Sequence, residues 1–169
     1  MTIFESTRIS FVEISELLIS DYLDMINDDE NVNRFIGKTG VHVTEEEEIR
    51  WVRRKLEEKA VIFSMIEKET GSFIGNCELM DADDSVKELG IAITAKKQNM
   101  GFGTEAVAAL VKYGMENMGL QKIVLRTSPK NGRAIRVYQK CGFRKVNRND
   151  EHVFMELSGA KNGLGTELS

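Results

Sequence analysis

Proline and cysteine are scarce in this 169-residue chain, which has one proline, two cysteines, two histidines and one tryptophan. A single proline excludes Pro-rich linkers and collagen-like repeats. Two cysteines, Cys77 and Cys141, cannot make a disulfide framework. Their number and isolation fit a reducing compartment, so a cytoplasmic location is expected. With only His42 and His152 to assist, they are too few for a zinc site, and no metal is expected. They read as small buried hydrophobes. No stretch approaches the ~20 consecutive apolar residues of a membrane span. The start, MTIFESTRISF, lacks the basic-then-apolar pattern of a signal peptide. Charge of one sign is also lacking: 23 basic against 27 acidic residues give a net charge of −4. Nucleic-acid binding wants a basic face, so neither nucleic acid nor a membrane is an expected partner.

The rest of the composition, 41% hydrophobic and 30% charged, is ordinarily globular. The length predicts one domain with a core that needs no staples. That domain is expected over residues 1–158. The Gly-, Lys- and Asn-rich end, residues 159–169, is expected to be a flexible tail.

Residues 8–12 read as a first strand and 20–27 as a helix, followed by an acidic turn at 28–30 and a short helix toward Phe35 and Ile36. Thr44 and Glu47 have capping-box spacing, ahead of an apolar stripe at Ile49, Val52 and Leu56 with Trp51 beside it. Period-2 or continuous apolar runs then predict strands at 61–67, 73–80 and 86–93, with a polar turn at 81–85. In the third run Leu89, Ile91 and Ile93 face one way and Glu88, Gly90 and Ala92 the other. A long amphipathic helix is expected over 103–118, stopped by Gly119. A strand at 122–127, a helix at 131–141 ended by Gly142, and closing strands at 143–146 and 152–157 complete the order. These elements predict one domain of the α/β (α+β) class. Its core is a mixed, largely antiparallel twisted sheet of six to seven strands, covered by helices on both faces.

The loop Gln98-Asn99-Met100-Gly101-Phe102-Gly103-Thr104 lies between a strand and a helix. Such a loop presents backbone N–H groups that, with the helix dipole, suit a pyrophosphate. A structural loop with two glycines explains the same residues. It lacks the lysine of a Walker A motif. Gly101, Gly103 and Ala106 match a dinucleotide fingerprint on paper. However, polar residues separate the strand from the loop, and no acid follows at the required strand end, which disfavours a dinucleotide-binding oxidoreductase.

A second motif, Asn131-Gly132-Arg133-Ala134-Ile135-Arg136-Val137-Tyr138-Gln139-Lys140-Cys141-Gly142-Phe143, puts Asn131 and Tyr138 on one side of a helix two turns apart. Together, QNMGFGTEA and NGRAIRVYQKCGF resemble the GNAT superfamily of acyl-CoA-dependent N-acetyltransferases. The resemblance is closest from Glu88 to Phe143 and is strongest to the branch containing polyamine, antibiotic and ribosomal-protein N-terminal acetyltransferases. It implies that acetyl-CoA is the co-substrate and that the Gln98–Thr104 loop holds its pyrophosphate. It implies that Ile91, Ala92 and Ile93 splay from the strand at 122–127 and pair with the pantetheine amides. Asn131 would bond the pantetheine arm, with Ile135 and Tyr138 beside it, and Tyr138 would protonate the departing thiolate. Phe102 departs from the Lys or Arg usual between the two glycines; Lys96 and Lys97 are possible substitutes. An aliphatic ammonium has a pKa of about 10.4, so the acceptor needs a base. Glu88 is the first choice and Glu78 the second, either being equally readable as a solvated residue or as a partner of Arg126. The implied acceptor is a small amine, a polyamine favoured. A protein or peptide N-terminus and a non-catalytic CoA-binding module are the alternatives. The acidic residues 28–30 and 45–48 lie where such a fold builds its acceptor site. A homodimer is compatible with the resemblance.

Overall fold

Strand-forming runs separated by short turns build a single eight-stranded sheet in the computed structural model, which describes residues 1–83 and 85–159. The order begins β1 (Thr2–Glu5), β2 (Ile9–Glu13), α1 (Ile19–Ile26), a π-helical turn at Asp29–Asn33 that runs into α2 (Arg34–Ile36), and α3 (Glu45–Glu57). Three strands follow, β3 (Val61–Glu67), β4 (Phe73–Asp83) and β5 (Val86–Ile93). The chain closes with α4 (Phe102–Asn117), β6 (Lys122–Thr127), α5 (Gly132–Lys140), β7 (Arg144–Arg148) and β8 (Val153–Ser158). Across the sheet the strands run β1-β2-β3-β4-β5-β6-β8-β7. Every neighbouring pair is antiparallel except β5 with β6. The anticipated class is found, with one strand more than the six to seven expected.

The extra strand is β1. Four residues at a sheet edge carry too little periodicity to announce themselves. Tertiary contacts fix β1: the Phe4 ring stacks on Phe11 at 4.2 Å and on Tyr113 at 4.4 Å. The turn expected at 81–85 is also shorter, because Asp81 pairs with Lys87 and Asp83 with Val86, carrying β4 onward. Asp84 lies outside the described residues, as does the expected tail apart from Gly159. In α3 the Thr44–Glu47 capping box forms, but Leu56 at the far end of the stripe is 39% exposed.

Because strand side chains alternate, the sheet buries two separate cores. Phe63, Met65, Leu79 and Leu89 pack beneath α4 and α5, with Ala106, Val107 and Leu110 of α4. On the opposite face Ile62 and Phe73 meet Tyr22 and Met25 of α1 and Val52 of α3. The continuous apolar run of β3 is thus explained by burial on both sides.

Two backbone features shape the middle of the sheet. A Cβ at Gly75 would collide with the Ala92 carbonyl oxygen, so only glycine lets β4 lie this close to the end of β5. On the other side of β5, its parallel ladder with β6 covers Val86–Glu88 against Lys122–Val124 and goes no further among the described residues. Beyond Glu88 the two strands diverge. The β5 backbone from Gly90 to Ile93 is therefore paired on one side only, with β4.

Candidate active site

The divergence of β5 and β6 opens a cleft of about 1020 Å³ that crosses the molecule. One half is bounded by the β5–α4 loop and the start of α5. The other half is bounded by the π-helical turn, α2 and α3.

In the first half, Asn99 (φ +62°) and Gly101 (φ +83°) take left-handed conformations that fold the loop back into the first turn of α4. For Gly101 this conformation carries no Cβ penalty. No side chain caps α4, and its first intrahelical bond is Glu105 N–H to the Gly101 carbonyl at 3.3 Å. The N–H groups of Phe102, Gly103 and Thr104 therefore precede the ladder, as a helix start suited to an anion requires. Gln98, Asn99, Gly101, Gly103 and Thr104 all line the cleft, together with Ile91, Ala92, Ile93 and Asn131. The Gln98 amide donates to the Ile93 and Asn31 carbonyls, tying the loop to both walls. Asn131 caps α5 by accepting the Ala134 N–H at 3.2 Å.

Three expected cofactor contacts stand elsewhere. The Phe102 side chain is buried in the core beneath α4, so only its backbone N–H is offered to a ligand. The Met100 side chain points to solvent, and its carbonyl accepts from Arg8 at 3.0 Å. Ile135 is buried in the same core and does not line the cleft. Lys97 is not free to replace the missing cation, since Glu67 holds its ammonium at 2.7 Å. Lys96 is exposed and outside the cleft lining.

Tyr138 of α5 is largely buried in the core and also lines the cleft, with its ring edge-on to Phe143 at 6.0 Å. Its hydroxyl has no hydrogen-bond partner among the described residues, and burial pushes its pKa up to about 12. The phenol thus keeps its proton at neutral pH. The two expected carboxylates both reach the cleft but differ in their surroundings. Glu88 is ion-paired with Arg126 at 3.4 Å. Glu78, across the ladder from Gly90, has no ion pair or hydrogen bond among the described residues. A Cβ at Gly90 would touch the Glu78 chain at 3.4 Å, so the glycine leaves that carboxylate room to lie over β5. Neither cysteine is placed for chemistry. Burial raises both thiols, Cys77 being fully buried and Cys141 only half-buried at the end of α5.

Over residues 8–144 the sequence matches the family described as the acetyltransferase (GNAT) domain. The chain belongs to this family. An uncharacterized N-acetyltransferase of Bacillus subtilis (strain 168), YnaD, is 30% identical over 118 residues, 69% of this chain and 68% of that protein. An uncharacterized N-acetyltransferase of Bacillus licheniformis, p20, is 33% identical over 92 residues, 53% of this chain. The match spans about half of that relative, 52% of its length. Among solved structures, spermidine N-acetyltransferase from Vibrio cholerae in complex with CoA and spermine superposes with a TM-score of 0.83. That comparison covers 92% of this chain and 98% of the other at 16% identity, a likeness of fold.

Sequence reasoning missed Arg8 and Arg133 of this GNAT domain, and it pointed to Glu48 only as one of the acidic residues 45–48. Arg8 braces the loop from behind. It donates to Glu105 from Nε at 2.8 Å and to the Met100 carbonyl at 3.0 Å, and its guanidinium lies 4.2 Å over the Phe102 ring. Burial would raise the Glu105 carboxyl, but hydrogen bonds from Arg8 and Ser6 outweigh it and hold the pKa low. Arg133, exposed at the start of α5, hydrogen-bonds Asn99 and lines the cleft, placing a cation beside the loop. Glu48, only 7% exposed on α3, lines the other half, and its carboxylate has no hydrogen bond or ion pair among the described residues. Burial raises its pKa, and the Lys38 charge opposes this only in part. The fourfold glutamate run hides Glu48 in the sequence, because only the orientation of α3 separates it from its solvated neighbours.

Proposed function

We propose that this protein transfers the acetyl group of acetyl-CoA directly to a primary amine of a small molecule, a polyamine being the favoured acceptor. The carrying observation is that one continuous cleft joins a helix start with no side-chain cap and a half-paired strand to two carboxylates, Glu78 and Glu48, that have no hydrogen bond or ion pair among the described residues. The first pair of features fits a pyrophosphate followed by an extended amide-bearing arm. The second fits an ammonium group.

The co-substrate supplies an activated acetyl thioester. The N–H groups of Phe102, Gly103 and Thr104 hold the pyrophosphate, with Arg133 as the cation that Phe102 does not provide. Asn131 and the open edge of Ile91, Ala92 and Ile93 orient the arm. Glu48 binds and desolvates the cationic acceptor. Glu78 accepts the ammonium proton, directly or through water; we prefer it to Glu88 because Arg126 already neutralises Glu88. Tyr138, in the cleft wall, holds a proton for the leaving thiolate.

A polyamine is favoured because two separated carboxylates in one cleft match a chain with repeated ammonium groups. The Vibrio cholerae structure of the same fold, with CoA and spermine, makes spermine and spermidine the first acceptors to test. The test is a thiol-release assay across polyamines, aminoglycosides, amino acids and short peptides. Turnover of polyamines supports the reading, and preference for peptides moves the acceptor to a protein N-terminus. Acetyl-CoA binding without turnover of any amine would reduce the protein to a binding module.

A further inference from the structure

A line of hydrogen bonds runs from the loop before α1, through the core, to the floor of the cleft, and none of its members belongs to the machinery described above. The Ser15 N–H donates to the Tyr22 hydroxyl oxygen at 3.1 Å. The Tyr22 and Ser64 hydroxyls lie 2.5 Å apart. The Ser64 hydroxyl reaches Asn76 Oδ1 at 2.8 Å. Tyr22 and Ser64 are both 0% exposed, so water does not compete for these groups.

Counting protons fixes the direction of the line. Tyr22 already receives the Ser15 N–H, and among the described residues its own proton has no acceptor other than Ser64 Oγ. The Ser64 proton then goes to Asn76, which must present oxygen rather than nitrogen. The Asn76 amide is thereby locked with its NH2 directed away from Ser64. Asn76 lines the cleft, and that NH2 has no partner among the described residues. In the β4–β5 ladder Asn76 sits directly opposite Ala92, where β5 is open toward β6.

An NH2 group cannot bind an ammonium; it calls for an acceptor oxygen. Resting on the acetyl-CoA reading above, we propose that Asn76 Nδ2 donates to the thioester carbonyl oxygen of the bound co-substrate. Tyr22 and Ser64 are the positioning residues that keep the amide from turning over. A donor locked in advance gains strength as negative charge builds on that oxygen.

The decisive experiment is calorimetry of the full-length protein with acetyl-CoA and with CoA, whose thiol has no carbonyl. Asn76→Asp keeps the side-chain volume and the Ser64 contact but replaces the donor with an anionic acceptor. Asn76→Ala removes the donor without adding charge and guards against misfolding of the first variant. Both are expected to weaken acetyl-CoA binding by about tenfold while CoA changes less than about twofold, the loss of one hydrogen bond. Ser64→Ala is expected to move the acetyl-CoA to CoA affinity ratio the same way by a smaller factor. Equal losses for both ligands, or no loss for either, would overturn the assignment of Asn76. Wild-type protein that bound neither ligand would overturn the acetyl-CoA reading itself.

Discussion

At the scale of single residues, the site depends on where protons and charges are left unpaired. Tyr138 owes its raised pKa to burial, which disfavours the phenolate and keeps the phenol protonated. Tyr138→Phe keeps the ring packing against Phe143 and removes only the hydroxyl group. The expected outcome is a kcat about a hundredfold lower, with acetyl-CoA affinity by calorimetry within about twofold. Wild-type kcat is also expected to show no loss of this acid below about pH 10, since the phenol titrates near pH 12. Glu48 works in the opposite direction. Its folded pKa is raised by burial, so between its unfolded and folded pKa values the folded state holds the extra proton. Stability therefore falls as pH rises through that window and stays lower above it. Glu48→Gln is expected to raise the neutral-pH melting temperature slightly while raising KM for the amine at least about tenfold. A melting temperature and a KM that fell together would contradict this role.

At the scale of elements, the half of the cleft bounded by the β5–α4 loop is held by contacts distant in sequence. The β1–β2 turn delivers Arg8 to the loop that opens α4, and Glu105 on α4 receives it. The pair is partly exposed, so its direct contribution to stability is small. Its larger effect is to hold the Met100 carbonyl and the Phe102 ring, and with them the N–H groups between. Arg8→Ala is therefore expected to cost only about 1 kcal/mol of stability in a denaturant titration. In the same variant, calorimetry should show acetyl-CoA binding weakened about fivefold. The elements themselves were legible: seven of the strands could be read from the sequence, some from alternating and some from continuous apolar runs, and the Gly-punctuated amphipathic stretches gave α4 and α5. The edge strand β1 was not, because its order comes from Phe4 stacking on Phe11 and Tyr113 rather than from a local pattern.

At the scale of the whole molecule, two cores on opposite sheet faces leave the cleft as the gap between their helical layers. A ligand bridging both halves binds the folded state alone. Acetyl-CoA at a hundred times its Kd is expected to stabilise the protein by about 2.7 kcal/mol. For a chain of this size that is a melting-temperature rise of roughly 5–10 °C by calorimetric scan. CoA lacking its pyrophosphate, as pantetheine, is expected to give little of this shift.

The sequence by itself determined the class of fold, the loop from Gln98 to Thr104 and the helix carrying Asn131 and Tyr138. Each of these is a local pattern of glycines, apolar period and turn residues, and local patterns are written along the chain. Tertiary structure decided which residues face the cleft. It buried Phe102 and Ile135, committed Lys97 to Glu67, and paired Glu88 with Arg126 while giving Glu78 no ion pair among the described residues. It also selected Glu48 from a run of four glutamates and fixed the Asn76 amide through Tyr22 and Ser64. Charge pairing and burial are set by neighbours tens of residues away, and no spacing in the sequence encodes them.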